Sequence, residues 1–201
     1  MRNDAFFAFL NRMKYINRWG LMRNTQTENI QEHSLQVAIV AHALAVIRKL
    51  YFKEAAIKID PETVAVMAIY HDCSEIVTGD MPTPIKYFSG GITSAYKDIE
   101  GIATKKLLSM LPDEMQGEYA KYMEKSEDEY WLECHKIVKA ADKISAYIKC
   151  IEEIKSGNKE FRTAKDSILE NINTMPLPEV NYFMAHFMPA YQLTLDEIDW
   201  K

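Results

Sequence analysis

The stretch Thr63 to Thr83, TVAVMAIYHDCSEIVTGDMPT, decides how the rest of the chain is read. It opens on a run that is apolar at nearly every position, Val64 to Tyr70, expected as a helix buried almost all round. It then delivers His71 and Asp72 side by side, Glu75 one turn later, and Asp80 just past Gly79. On a continuous helix Glu75 lies under His71 at i+4 and under Asp72 at i+3, so the three groups can share one small ion or water. A histidine beside an aspartate is common enough as a satisfied pair near a surface. Here the carboxylate emerges from a buried helix, where an unpaired charge is strongly destabilising, so the stretch asks for a counter-charge.

The chain around it has 201 residues, 48% of them apolar, and a formal net charge of -5. That length and apolar share suit one full core, so a single domain over residues 1–201 is expected. The acidic balance argues against binding a nucleic-acid polymer, which calls for a basic excess. Cys73, Cys134 and Cys150 have no CxxC spacing, which points away from disulfides or a thiolate zinc site and toward a reducing compartment. The opening MRNDAFFAFLNRMKYINRW carries charges through its apolar positions and no small-residue cleavage site, unlike a secretion signal. The longest apolar run, Val37 to Ile47, is interrupted by His42 and falls short of the ~20 residues of a membrane span. A soluble cytoplasmic protein with no membrane partner is the expectation.

Helix follows helix along the chain. Asp4 is expected to cap a first helix that buries Phe6, Phe7, Phe9, Leu10 and Met13. Asn17 to Arg23 has no clean period and runs into the polar Asn24 to Asn29, so both are read as loop. There Arg18 adjoins Trp19. A guanidinium beside an indole suits a phosphate next to a flat ring, although a surface arginine beside a core tryptophan is the commoner arrangement. A second helix is expected from Ile30 to Phe52. His33 falls in its first turn, where the helix dipole disfavours a protonated ring and leaves a lone pair for a metal; His42 reads as a core or edge histidine.

Asp60-Pro61-Glu62 starts the helix of the deciding stretch, and Gly79 is expected to close it in a left-handed cap. Two prolines stiffen Asp80-Met81-Pro82-Thr83-Pro84, a loop able to aim a carboxylate and a hydroxyl at a substrate, or an ordinary connector. Gly90-Gly91 reads as a hinge before a helix from Thr93 to Leu111, and an acidic helix follows from Asp113 to Lys125. Ser126 with Glu129 forms a capping box for a long helix to Ser156, closed by Gly157. Asp142 sits on that helix among small residues, with Lys139 or Lys143 as its simplest partner. Helices from Lys159 to Thr174 and Glu179 to Phe187 complete an all-α chain with no strand, and His135 and His186 carry no ligand signal.

Four candidate metal ligands stand out: His33, His71, Asp72 and Asp142. Two imidazoles and two carboxylates suit Mn, Fe, Co, Ni or Zn, and are too nitrogen-rich for Ca or Mg. An ion so held lowers the pKa of its water and neutralises a phosphoryl oxygen, which points to phosphoester hydrolysis.

The pattern His33, His71-Asp72, Asp142 resembles the HD-domain metal-dependent phosphohydrolases. The strings INRWGLMRNTQTENIQEHSLQVA, YHDCSEIVTGDMPTPIKYF and VKAADKISAYIKCIEEI are similar to the bacterial HD-domain 5′-deoxynucleotidases, and the likeness covers most of the chain. The HD signature alone is shared by nucleotidases, triphosphohydrolases, alarmone hydrolases and cyclic-nucleotide phosphodiesterases; the flanking RW and EIVTGDMPTP strings narrow it. The resemblance implies an all-α, single-domain HD helical bundle. It also implies a homodimer that hydrolyses deoxyribonucleoside 5′-monophosphates to deoxynucleoside and phosphate, in preference to ribonucleotides.

By the same resemblance His33, His71, Asp72 and Asp142 hold one divalent ion, with Co, Mn or Cu ahead of Zn, Fe or Ni. Arg18 orients the phosphate, Trp19 contacts the substrate and excludes a 2′-hydroxyl, and Glu75 works with the metal-bound water. Asp80, Met81, Pro82 and Thr83 contact the sugar and leaving-group side, with His33 also at the substrate. A pocket without a partner for a 2′-hydroxyl rejects it, because a buried unpaired hydroxyl is destabilising. Two other readings use the same residues. A deoxynucleoside triphosphohydrolase or alarmone hydrolase needs more cations than Arg18, Arg23 and Lys86, and a non-catalytic HD scaffold for metal or nucleotide has no evident need of Glu75 and Asp80.

Overall fold

A computed structural model describes residues 4–55 and 57–198. The two ends of the expected 1–201 domain, and the first residues of the N-terminal stretch, lie outside the described residues. The chain separates into two compact units, each built from two stretches: Met1–Leu35 with Val66–Glu127, and Gln36–Ala65 with Asp128–Lys201. Among the described residues there is no strand, only an isolated antiparallel bridge between Asn17 and Asn29, so the all-α class holds.

The first unit holds α1 (Phe6–Leu10), a 3-10 turn over Asn11–Tyr15, and the start of α2 (Ile30–Tyr51). It also holds the end of α3 (Pro61–Tyr70), then α4 (Glu75–Thr78), α5 (Thr83–Lys86), α6 (Gly90–Leu108) and α7 (Asp113–Met123). Phe6, Met13, Ile30, Cys73, Leu107, Leu108 and Leu111 form its core. The Phe6 and Tyr119 rings meet edge to face at 5.2 Å. Each large apolar side chain buried in this way contributes about 1.5–3 kcal/mol. The N-cap of α1 is Ala5, with no side-chain hydrogen bond, so the expected Asp4 cap does not form; the helix starts one residue later and tightens after five residues.

The deciding stretch differs from expectation at its centre. It is not one helix: α3 stops at Tyr70, residues 71–74 form tight turns, and α4 begins at Glu75. The backbone there bonds at three-residue spacing, Cys73 N to Tyr70 O at 3.1 Å and Glu75 N to Asp72 O at 3.0 Å. That tightening turns Cys73 into the core while His71 and Asp72 remain partly exposed. Gly79 has φ 72 and ψ 163, so it is not the expected left-handed cap but lies in a region that only glycine occupies comfortably. Gly90 and Gly91 are not a hinge before a helix; they are the first residues of α6, capped by the Ser89 hydroxyl accepting from Ile92 N at 3.3 Å.

The second unit holds the rest of α2, the start of α3, α8 (Glu129–Lys155), α9 (Arg162–Asn173) and α10 (Pro178–His186), with short 3-10 turns between and after them. Ile137, Val138, Ala141, Ile144 and Ile151 make the buried side of α8. Its N-cap is Asp128, whose carboxylate accepts from Tyr130 N and Trp131 N, rather than the expected Ser126; Glu129 is already helical. Its end follows the expectation. Gly157 at φ 86 allows Gly157 N to reach Ile154 O and Asn158 N to reach Glu153 O, both at 2.9 Å, the double bond of a Schellman cap.

Candidate metal centre and active site

The loop from Arg18 to Glu28 is tied at its ends by backbone bonds, Ile30 N to Ile16 O at 3.0 Å and Arg18 N to Glu28 O at 2.9 Å. This closure places Arg18 and Trp19 beside the start of α2. Asn29 caps that helix: its side-chain oxygen accepts from Gln31 N and Glu32 N at 3.0 Å each, and Glu32 Oε2 accepts from Asn29 N at 3.3 Å. The cap sets His33 in the first turn, where its ring is fully buried.

His71 Nδ1 lies 2.7 Å from the Ala68 carbonyl oxygen. A carbonyl only accepts, so Nδ1 carries the proton and the lone pair of the neutral ring is on Nε2. That Nε2 is 3.0 Å from Asp72 Oδ2, and two lone-pair atoms at this separation repel unless a proton or a metal cation joins them. His33 Nε2 stands 3.6 Å from the same oxygen, and the two imidazole rings are 5.3 Å apart. One ligand atom from each of His33, His71 and Asp72 falls within 4.8 Å of the others, close to the spacing around a single ion. Two imidazoles and a carboxylate therefore fit a first-row divalent ion in both geometry and chemistry.

Arg18 reaches this group. Its Nη1 is 2.8 Å from His33 Nδ1 and 2.6 Å from Glu28 Oε2. Guanidinium has only donors, so His33 Nδ1 accepts in this arrangement and the proton of the neutral ring sits on Nε2. Ligation through Nε2 moves that proton to Nδ1, where it would oppose the Arg18 donor. An ion at His33 and the Arg18–His33 contact are thus alternatives.

Trp19 sits at φ 61, a left-handed backbone uncommon outside glycine. Its amide donates to Asp80 Oδ2 at 3.3 Å and its indole Nε1 to Glu28 Oε2 at 3.0 Å. Glu75 is 6% exposed, and its Oε2 has no hydrogen-bond partner among the described residues. Burial pushes its carboxyl up to about 10, with Asp72 and Asp80 adding and Arg18 and Lys86 opposing. Burial also raises Asp80, against the pull of Arg18 and the Trp19 amide. Two carboxyls in this site thus retain protons more readily than in water.

The structure brings Arg18, Trp19, His33, His71, Asp72, Glu75 and Asp80 together. Met81, Pro82 and Thr83 lead from Asp80 into α5. Asp142 belongs to the second unit, on α8, with Oδ2 3.8 Å from Lys143 Nζ. Three contributors escaped the sequence reading. Glu28 lies in a polar run with no period to mark it, and the Tyr96 hydroxyl, which reaches Gly79 O at 3.2 Å, comes from a helix 17 residues on. Asn29 could have been found from its Asn-x-x-Glu capping pattern with Glu32.

Over residues 5–191 the sequence matches the family described as 5′-deoxynucleotidase YfbR-like. A 5′-deoxynucleotidase of Cronobacter sakazakii is 48% identical over 198 residues, which is 98% of this chain and 97% of that protein. The 5′-deoxynucleotidase YfbR of Salmonella typhi is 49% identical over the same shares. Among solved structures, an HD-domain phosphohydrolase from Listeria innocua superposes with a TM-score of 0.77 at 24% identity, covering 92% of this chain and 87% of that one. A cyanophage S-2L HD phosphohydrolase bound to dA and one catalytic Zn2+ ion superposes with a TM-score of 0.60 at 19% identity, covering 93% and 96%. These two likenesses concern the fold.

Proposed function

The chain belongs to the 5′-deoxynucleotidase YfbR-like family, and from that premise we infer that it hydrolyses deoxyribonucleoside 5′-monophosphates to deoxynucleoside and inorganic phosphate. The observation that supports this best is the gathering of His33, His71 and Asp72 into one cation-sized group beside the Arg18 guanidinium. These three residues would hold a divalent ion, with Asp142 assigned as the fourth ligand on the family resemblance alone. The donor set suits Mn, Fe, Co, Ni or Zn, and the family resemblance puts Co, Mn or Cu first. When bound, such an ion supplies Lewis-acid stabilisation of the phosphoryl oxygens and an activated nucleophile.

The remaining residues serve the two ends of the displacement. Arg18, released from His33 when the ion is held, donates to the non-bridging phosphoryl oxygens and stabilises the charge that spreads over them. Glu75 takes a proton from the attacking water, since a divalent ion near Asp72 lowers the carboxyl that burial raises. Asp80 gives a proton to the departing 5′-oxygen, and Met81, Pro82 and Thr83 line the sugar side. Trp19 occupies the space a 2′-hydroxyl requires, which makes the enzyme selective against ribonucleotides.

The protein is further assigned as one working domain, a homodimer and a cytoplasmic enzyme. Three buried free thiols suit a reducing compartment. The test strips metal with a chelator, restores one metal at a time, and follows deoxynucleoside and ribonucleoside monophosphates of the same base. Phosphate release that requires metal and favours the deoxy substrate is expected. Triphosphate or pyrophosphate released from longer nucleotides would instead make the protein a triphosphohydrolase or alarmone hydrolase, and binding without turnover would make it a scaffold. Sedimentation at assay concentration checks the dimer.

A further inference from the structure

We propose that Glu28 is a positioning residue that locks the Arg18 and Trp19 side chains to each other, so that phosphate grip and sugar discrimination depend on one carboxylate oxygen. Its Oε2 accepts from Arg18 Nη1 at 2.6 Å and from Trp19 Nε1 at 3.0 Å. The backbone carbonyl of Glu28 accepts the Arg18 amide at 2.9 Å, beside the Asn17–Asn29 bridge. The Arg18–Trp19 dipeptide is therefore held to residue 28 by main chain and side chains alike. The ion pair is well screened from water, with side-chain exposures of 12% for Arg18 and 15% for Glu28, so its charge-assisted bonds retain much of their strength.

The arrangement does two things at once. It gives the indole N–H its acceptor, which fixes the ring while Trp19 is held in a left-handed backbone. It keeps the guanidinium beside the His-Asp group when an ion at His33 displaces the Arg18–His33 contact. The inference rests on the reading of Arg18 and Trp19 as the phosphate and sugar contacts given above.

The test compares Glu28→Ala, the conservative Glu28→Gln, Trp19→Phe and the Glu28→Ala/Trp19→Phe pair in the full chain. It follows kcat and KM for a deoxy and a ribo monophosphate of the same base. Glu28→Ala is expected to lower kcat/KM for the deoxy substrate by about 10- to 100-fold, the worth of a lost charge-assisted hydrogen bond. It should also shrink the deoxy-to-ribo ratio severalfold. Glu28→Gln, which still offers an oxygen acceptor, recovers most of the ratio and less of the rate.

Trp19→Phe in the Glu28→Ala background should change the ratio less than about twofold further, because the two residues act as one unit. Equal losses for both substrates with the ratio intact, or fully additive effects, overturn the proposal. A readout independent of turnover accompanies this: the Trp19 indole N–H resonance, assigned through Trp19→Phe, exchanges with solvent faster in Glu28→Ala. Unchanged exchange overturns the positioning role even if the enzyme is active. A wild-type protein that hydrolyses neither substrate sinks the functional reading instead, and leaves the indole measurement to decide the role of Glu28.

Discussion

At the scale of single residues, the protonation of the gathered side chains is dictated by what faces them. The His71 tautomer follows from one carbonyl, Ala68 O, and directs a lone pair at Asp72. His71→Ala or Asp72→Ala should therefore remove bound metal and turnover together, whereas Glu75→Ala should keep the metal and lose about 100- to 10,000-fold in kcat; metal analysis beside steady-state kinetics checks both. Glu75 also carries a pH signature. Its folded-state carboxyl lies near 10 against an ordinary 4.5, so the stability it contributes is full below 4.5 and is lost as pH rises toward 10. In metal-free protein the unfolding free energy should fall as pH rises from 5 to 7 because of this group. Glu75→Gln should flatten that slope in denaturant titrations, and an identical slope in the variant would mean that burial does not hold the proton.

Among the elements, the second unit is tied together by a buried ion group. Arg48 on α2 donates from Nε and Nη2 to Glu179 Oε1 on α10, at 3.0 and 2.6 Å, and from Nη1 to Glu133 Oε1 on α8 at 2.6 Å. Arg48 is 6% exposed and Glu179 fully buried, so removing the cation leaves a carboxylate stranded in the core. Arg48→Ala should destabilise the fold by about 3–5 kcal/mol in denaturant unfolding, and replacement of all three residues by apolar ones of like volume should recover most of it. Helix boundaries were legible where a cap was local, as at Gly157, and misplaced at the start of α8. Asp128 displaced Ser126 at the start of α8 because its carboxylate accepts from two amides at once. The break in the deciding stretch was not legible: the run from Thr63 to Thr78 has no proline or glycine to announce it.

For the whole molecule, an ion held by the proposed group of His33, His71 and Asp72 would link binding to folding, since these residues come from α2 and from the turn after α3, parts of the chain 38 to 39 residues apart. Free metal at 100 times its Kd should raise the unfolding free energy by about 2.7 kcal/mol, and chelation should lower the melting temperature correspondingly; calorimetry with and without chelator checks this. By length and composition α2, with 22 residues, could also cross a membrane, and 56% of its most apolar window is buried within the fold. What the sequence determined by itself was the all-α class, because apolar periodicity and caps are properties of short stretches, and, through its resemblance, the family. Only the tertiary structure decided that the His-Asp pair sits in a turn, that His71 offers Nε2, that Glu75 is buried enough to keep its proton, and that Glu28 holds Arg18 and Trp19. Each of these depends on which atoms from distant parts of the chain exclude water from a given group, and spacing along the chain carries no record of that.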